Sequence, residues 1–393
     1  MKYKKNILLD YMHTLFRSLN VTQGIWLIYL FNRGFSYFEI ALFEGVFHIT
    51  SLLFEIPTGV IADVLGRKTS RILGILSYFV YIAIILNSQS FGMIALGFVF
   101  CGLSYVFESG AAEAIVYDSL IEMNQEDKYM EVNGVKEAIF QISGFVALFV
   151  SGAIFDLNGA YNFYLTAFFF VIALIMIVSM REVPVERKEK KTVKEQLYNQ
   201  FVVSSVTVMK NKRLFLLIII GALMTAPITT IFFFLQNYFD FNGVPITVIT
   251  MYIGLHAGAS AIGGIFAYKL EKRYGETKIL YVIPLLMAIS FWLILIDKII
   301  LIPFILLGVW DSIFYVVLID YINKMVSSEE RATVLSFFGM SFSVVMIIVF
   351  TLIGYIINVV GFGVAFTVLA GIVTLFYLVL VVVVKGNHLI KEE

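Results

Sequence analysis

Cysteine is all but missing: Cys101 is the single one in 393 residues, which excludes an internal disulfide and any metal site built on several thiolates. It lies in an apolar run, where a small packing residue is expected. Charge is scarce too, at 14% of residues against 60% hydrophobic, a composition outside that of soluble domains and diagnostic of a polytopic membrane protein. The charges that exist cancel, 28 basic against 28 acidic, so no net field selects nucleic acid or an acidic partner. No glycine-rich phosphate loop and no nucleotide-binding module occurs, which argues against an ATP-driven pump. A cleavable leader is not expected either. Lys2, Lys4 and Lys5 do precede an apolar stretch, but Asp10, His13, Arg17 and Asn20 interrupt it and no small-residue cleavage site follows.

What is present is a series of apolar runs, each long enough to cross a ~30 Å hydrocarbon core as a helix. Twelve are expected, at 7–31, 37–64, 70–89, 91–121, 133–156, 160–180, 213–238, 245–270, 277–297, 299–325, 331–358 and 361–384. Basic residues collect on one side of this series. Lys2, Lys4, Lys5, Arg67, Lys68, Arg71, Lys128, Lys136, the run from Arg181 to Arg213, Lys269, Lys272, Arg273, Lys278, Lys324, Arg331, Lys385 and Lys391 fall there. The other side holds Arg33 and Lys298. By the positive-inside rule both termini are expected in the cytoplasm.

The long polar break divides the chain into residues 1–180, a linker at 181–212, and residues 213–393. Within the linker, Val193, Leu197, Phe201 and Val208 have helical spacing. A helix lying on the membrane surface and a solvated tether both fit.

Between the second and third runs stands GVIADVLGRK, Gly59 to Lys68, followed by Arg71. Such a cluster of charge costs roughly 3 kcal/mol per group at the centre of a membrane, so it marks a tight turn at the surface. Gly59, Asp63, Gly66, Arg67 and Lys68 match G-x-x-x-D-x-x-G-R-K, and the turn resembles the signature loop of the major facilitator superfamily. That resemblance implies an all-α membrane protein of twelve transmembrane helices in two pseudo-symmetric six-helix bundles, working by alternating access around a cavity between the halves. Internal repetition agrees with it. Gly59, Ala62, Leu65, Arg67 and Lys68 correspond to Gly264, Ala267, Leu270, Lys272 and Arg273 at 264 − 59 = 205. Asp118 and Met123 correspond to Asp320 and Met325 at 320 − 118 = 202.

In the family this loop is a conformational latch. The same mechanics are expected here from Gly59, Asp63, Gly66, Arg67, Lys68, Arg71 and Asp118. Asp63 would face the helix start at Ser327 and Glu330, and Arg67 or Arg71 would pair with Asp118. An orientation signal with a tight turn is the plainer reading.

Ionisable residues inside the runs are the candidate proton or substrate groups. Asp10, His13, Arg17, Asn20 and Gly24 form one polar stripe at helical spacing. Arg17 lies near mid-span, must face the interior, and needs an anion. Asp10 is expected near the surface. Glu44, His48 and Glu55 share a face of the second run; Glu108 and Glu113 lie about 140° apart on the fourth, so one of them faces a cavity. Asp311 sits near mid-depth beside Trp310 and Tyr315. Each carboxylate reads either as a carrier of protons or cations, or as half of a static ion pair. Glu44 and His48 have the i, i+4 spacing of metal ligands, but no second histidine or cysteine lies near, and no metal is expected.

The resemblance has gaps. The fourth run, FESGAAEAIVYDSL from Phe107 to Leu120, lacks the family's arginine, and the fifth has no proline of the antiporter motif. Chain length and the EIPTG run from Glu55 to Gly59 resemble small bacterial drug and metabolite exporters. The expected activity is proton-coupled export of an amphipathic compound by a monomeric, multi-pass protein of the bacterial cell membrane. Its partners would be a small-molecule substrate, protons and lipid, not nucleic acid, and no cofactor is expected beyond the proton gradient. Uptake or facilitated diffusion of a nutrient is the alternative. A membrane-embedded enzyme acting on lipid is the rival from another class, disfavoured by loops too short for a catalytic cluster.

Overall fold

The structure, a computed structural model, describes residues 3–183, 208–326 and 331–386. Among these residues there is no strand, and twelve membrane spans follow one another. Eleven are single helices long and apolar enough to cross a membrane. The first half contributes α3 (Tyr37–Leu65), α4 (Arg67–Asn87), α5 (Phe91–Ile121), α6 (Tyr129–Leu157) and α7 (Gly159–Ser179). The second contributes α8 (Lys212–Phe241), α9 (Ile246–Tyr274), α10 (Glu276–Leu293), α11 (Leu301–Lys324), α12 (Arg331–Val360) and α13 (Phe362–Gly386).

The remaining span departs from expectation. Instead of one helix over 7–31 there are two, α1 (Lys4–Ser18) and α2 (Trp26–Asn32). The cause is local: Asn20 turns its side-chain oxygen back to accept from the Thr22 N–H (3.1 Å) and hydroxyl (2.6 Å), an alternative to the helical ladder that Asn offers readily. The irregular backbone is then held by its neighbours. Asn162 of α7 donates to the Val21 carbonyl at 3.0 Å and to that of Ser151 at 2.8 Å, and the Asn20 amide donates to the Tyr78 hydroxyl at 2.9 Å. Non-helical backbone at membrane depth survives only when buried in protein this way.

By packing, the chain forms two compact units: Met1–Tyr29 with Val46–Leu197 and Pro245–Met251, and Leu30–Gly45 with Tyr198–Val244 and Tyr252–Glu393. In the first, α1 packs on α6 and α7, and α4 on α5 and α7. Its Gly152 lies so close to Ile246 and Thr247 that no side chain fits there. In the second, α8 is the most buried helix and packs on α11, α12 and α13. Gly354 of α12 allows similar close approach to Ala41 and the Tyr37 carbonyl within that unit. The surface helix considered for the linker lies outside the described residues, apart from its edges.

Helix ends also correct the repeat register. α3 and α9 both run 29 residues and both stop at a positive-φ glycine, Gly66 (φ 103°) and Gly275 (φ 80°). The turn therefore recurs at 275 − 66 = 209, one helical turn beyond the offset of 205. A four-residue slip keeps the same helix face, so small and apolar residues still match and conceal it.

Candidate functional site

The polar stripe of α1 meets the other charges of the first unit in one buried cluster. Arg71, on the second turn of α4, has a fully buried side chain, and its guanidinium is spent on two carboxylates. Nη1 donates to Asp10 Oδ1 at 2.7 Å; Nη2 and Nε donate to Glu108 Oε1 at 2.8 and 3.0 Å. The same Glu108 oxygen receives His13 Nε2 at 3.0 Å, while His13 Nδ1 faces the Ala173 carbonyl at 3.1 Å. A carbonyl only accepts, so Nδ1 carries a hydrogen, and one further proton is shared along the line between His13 Nε2 and Glu108. Lys136 approaches the other Asp10 oxygen at 3.6 Å. A kink at Ser109 (ψ −116°) directly follows Glu108 and fixes where α5 presents it.

This placement bears on two expectations. Asp10 is buried within the protein, at 1% exposure, and is paired with Arg71 and Lys136. Of the two arginines expected at Asp118, Arg67 approaches it at 3.9 Å and also pairs with Asp63 at 2.7 Å, while Arg71 is turned inward to Asp10 and Glu108. Arg17 stands at the end of α1, where Nη2 donates to the Ser104 carbonyl at 3.2 Å and the guanidinium lies 5.5 Å over the Phe170 ring.

The signature turn has a partner that the sequence did not point to. Glu182, just after α7, accepts from the first two N–H groups of α4, Arg67 at 2.8 Å and Lys68 at 3.0 Å, where an anion is favoured by the helix dipole. Lys68 Nζ donates to the Val178 (2.6 Å) and Met180 (2.9 Å) carbonyls. Gly66 is needed twice: its φ is 103°, and a Cβ there would stand 2.5 Å from the Glu182 carboxylate. Gly59, by contrast, faces open space. Ser327 and Glu330, the expected target of Asp63, lie outside the described residues.

The remaining candidates separate. Glu113 is exposed, and Glu55 is half-buried. Glu44 and His48 are buried on α3. Among the described residues no three His, Cys, Asp or Glu side chains gather as metal ligands would. His256 is a packing group, bonded to the Phe304 carbonyl at 2.8 Å and stacked on the Phe304 ring.

Asp311, in the second unit, differs from all of these. No hydrogen bond or ion pair reaches it among the described residues, and its Oδ1 is sealed from solvent. It lies 13 residues before the end of α11, as Glu108 lies 13 before the end of α5 (324 − 311 and 121 − 108). The same unit holds a buried Gln236–Asn237 pair on α8, each 1% exposed, with both polar atoms of the Asn237 side chain unbonded. Two amides inside the run 213–238 were the signal for them.

A family model described as Major Facilitator Superfamily matches residues 12–297 and 259–390. Among curated relatives, the MFS-type transporter YxaM of Bacillus subtilis is 25% identical over 210 residues, 53% of this chain and 52% of that protein. A transporter of Buchnera aphidicola (subsp. Schizaphis graminum) is 25% identical over 173 residues, 44% of this chain and 42% of the relative. The chain thus spans about half the length of the curated relatives it matches. Among solved structures, the nucleoside transporter NupG superposes with a TM-score of 0.79 at 13% identity, over 99% of both chains. The D-xylose-proton symporter does so at 0.70 and 11%, over 96% of both. At these identities the likeness is one of fold.

Proposed function

The chain belongs to the Major Facilitator Superfamily, and from that premise we propose that it couples the movement of a small polar organic solute to that of a proton, with Asp311 as the proton-carrying group. It is a transporter, not an enzyme, and a multi-pass membrane protein of bacterial transporter type. The observation that carries the coupling is the isolation of Asp311: a carboxylate oxygen shut away from water with no protein donor is costly unless a proton or cation neutralises it. Glu108, held by Arg71 and His13, is already neutralised by the protein and serves as a fixed counter-ion.

A polar solute is favoured by the unbonded amide of Asn237 and the unbonded Oε1 of Gln236 in the second unit, since buried hydrogen-bonding groups discriminate for ligands that satisfy them. Import is the favoured direction, in keeping with a D-xylose-proton symporter among the structural neighbours. Export of an amphipathic compound is the second reading, supported by chain length and the EIPTG run. The proton gradient is the energy source in both.

The test is proton movement in proteoliposomes. A pH-sensitive dye follows an imposed gradient while polar solutes and amphipathic cations are added in turn. Proton influx accompanying a polar solute supports symport; proton release driven by an amphipathic cation would establish the export reading instead. No solute-driven proton movement with folded protein would sink proton coupling.

A further inference from the structure

We infer that Arg17 binds an anion and that the transported solute carries a carboxylate or comparable small anionic group. The inference rests on the carrier reading above and adds to it the charge of the cargo. Arg17 sits in the last turn of α1, inside the first membrane span, immediately before the break at Leu19. A guanidinium has five N–H donors. Here one bond is made, from Nη2 to the Ser104 carbonyl, while Nη1 is buried with no acceptor. Among the described residues no carboxylate lies within ion-pair distance of it.

The nearby acids are not available to it. Asp10 is held by Arg71 and Lys136, and Glu108 Oε1 takes two bonds from Arg71 and one from His13. Glu108 Oε2 is unbonded and adds a negative field nearby, but it makes no contact with Arg17. The cluster therefore sets three permanent cations, Arg17, Lys136 and Arg71, and the proton shared between His13 and Glu108 against two carboxylates, Asp10 and Glu108. Surplus positive charge within a membrane span is expensive, and a bound anion reduces it. Ser104, whose carbonyl takes the one bond of Arg17, also has its hydroxyl buried without a partner. The paired donors of a guanidinium fork suit a planar carboxylate. The aromatic face of Phe170 fixes the guanidinium from one side and leaves its edge for the ligand.

The test uses the full-length protein in nanodiscs and thermal unfolding with two size-matched triads: benzoate, benzyl alcohol and benzylamine; gluconate, sorbitol and glucosamine. The expected result is a rise in Tm with at least one of the anions and none with its neutral and cationic counterparts. That rise is lost in Arg17→Gln and reduced in Arg17→Lys, which keeps the charge without the fork. Where Arg17→Gln does not fold, the reduction in Arg17→Lys decides. No rise with either anion, an equal rise with a neutral or cationic member, or an anion effect unchanged in the variants would overturn the inference. The carrier reading fails separately: anion-specific stabilisation without any transport in proteoliposomes supports the anion site and removes the carrier. Proton movement driven only by neutral solutes does the reverse.

Discussion

Glu108 and Asp311 stand at the same distance from the ends of α5 and α11, yet one receives two bonds from Arg71 and shares a proton with His13, and the other has no partner among the described residues. The difference lies in what the neighbouring helices bring. In the first unit α1 and α4 supply His13 and Arg71, so the carboxylate is locked into a neutral whole. In the second unit the position matching Arg71, 71 + 209 = 280, is Leu280, and the acid stays alone among the described residues. Position in a repeat does not fix a role; the local balance of charge does. A paired acid is a poor proton carrier because its partners compete with the proton, whereas an isolated one has the proton as its natural partner.

The turns before α4 and α10 make the same point at the other end of these helices. In the corrected register Arg67 and Glu276 both open a helix after a positive-φ glycine, with opposite charge. Arg67 pairs with Asp63 and approaches Asp118, while Glu276 pairs with Lys324, which also meets Asp320 at 2.7 Å. The contact is kept and its polarity reversed.

The largest effect expected from breaking these contrasts is that of Arg71→Met. It leaves Asp10 and Glu108 buried without their shared cation and should cost about 3–5 kcal/mol, read as a steep loss of folded protein in detergent and a lowered Tm. Replacing Asp10 and Glu108 by Leu in the same chain should recover part of that loss, since it removes both stranded carboxylates and leaves Lys136 and His13 as the remaining polar groups. Next comes Gly66→Ala. The backbone conformation alone should cost about 1–3 kcal/mol, and Glu182 must move as well, so its Tm should fall further than that of Gly275→Ala, where nothing lies within 4 Å. Equal losses would show that the Glu182 contact contributes nothing. The smallest effect belongs to Lys324→Gln: its side chain is 54% exposed, and surface pairs contribute roughly 0–1 kcal/mol, so Tm should scarcely move.

Much of this was legible in the chain. Apolar runs gave the spans because a membrane tolerates little else, and the intramembrane charges stood out for the same reason. The pairing of Arg67 with Asp118 was one of two options that spacing left open. What spacing could not reveal was contact between distant segments. Arg71 reads as part of a surface turn until Asp10, 61 residues away, is seen beside it. Glu182 reads as the first acid of a polar linker, and only the return of α7 to the start of α4 makes it a helix cap. The break at 19–25 was hidden because Leu19, Val21 and Ile25 carry the apolar run across it; the competing bond of Asn20 is local, but its support from Asn162 and Tyr78 is not.

The contrast between the two acids is tested most directly by solute-driven proton movement in proteoliposomes holding wild type, Asp311→Asn or Glu108→Gln at matched, folded amounts. Solute counterflow is measured in the same vesicles. The account predicts that Asp311→Asn abolishes proton movement while counterflow persists, and that Glu108→Gln lowers Tm yet keeps proton movement per folded molecule. Proton movement intact in Asp311→Asn, or lost in folded Glu108→Gln, would contradict it.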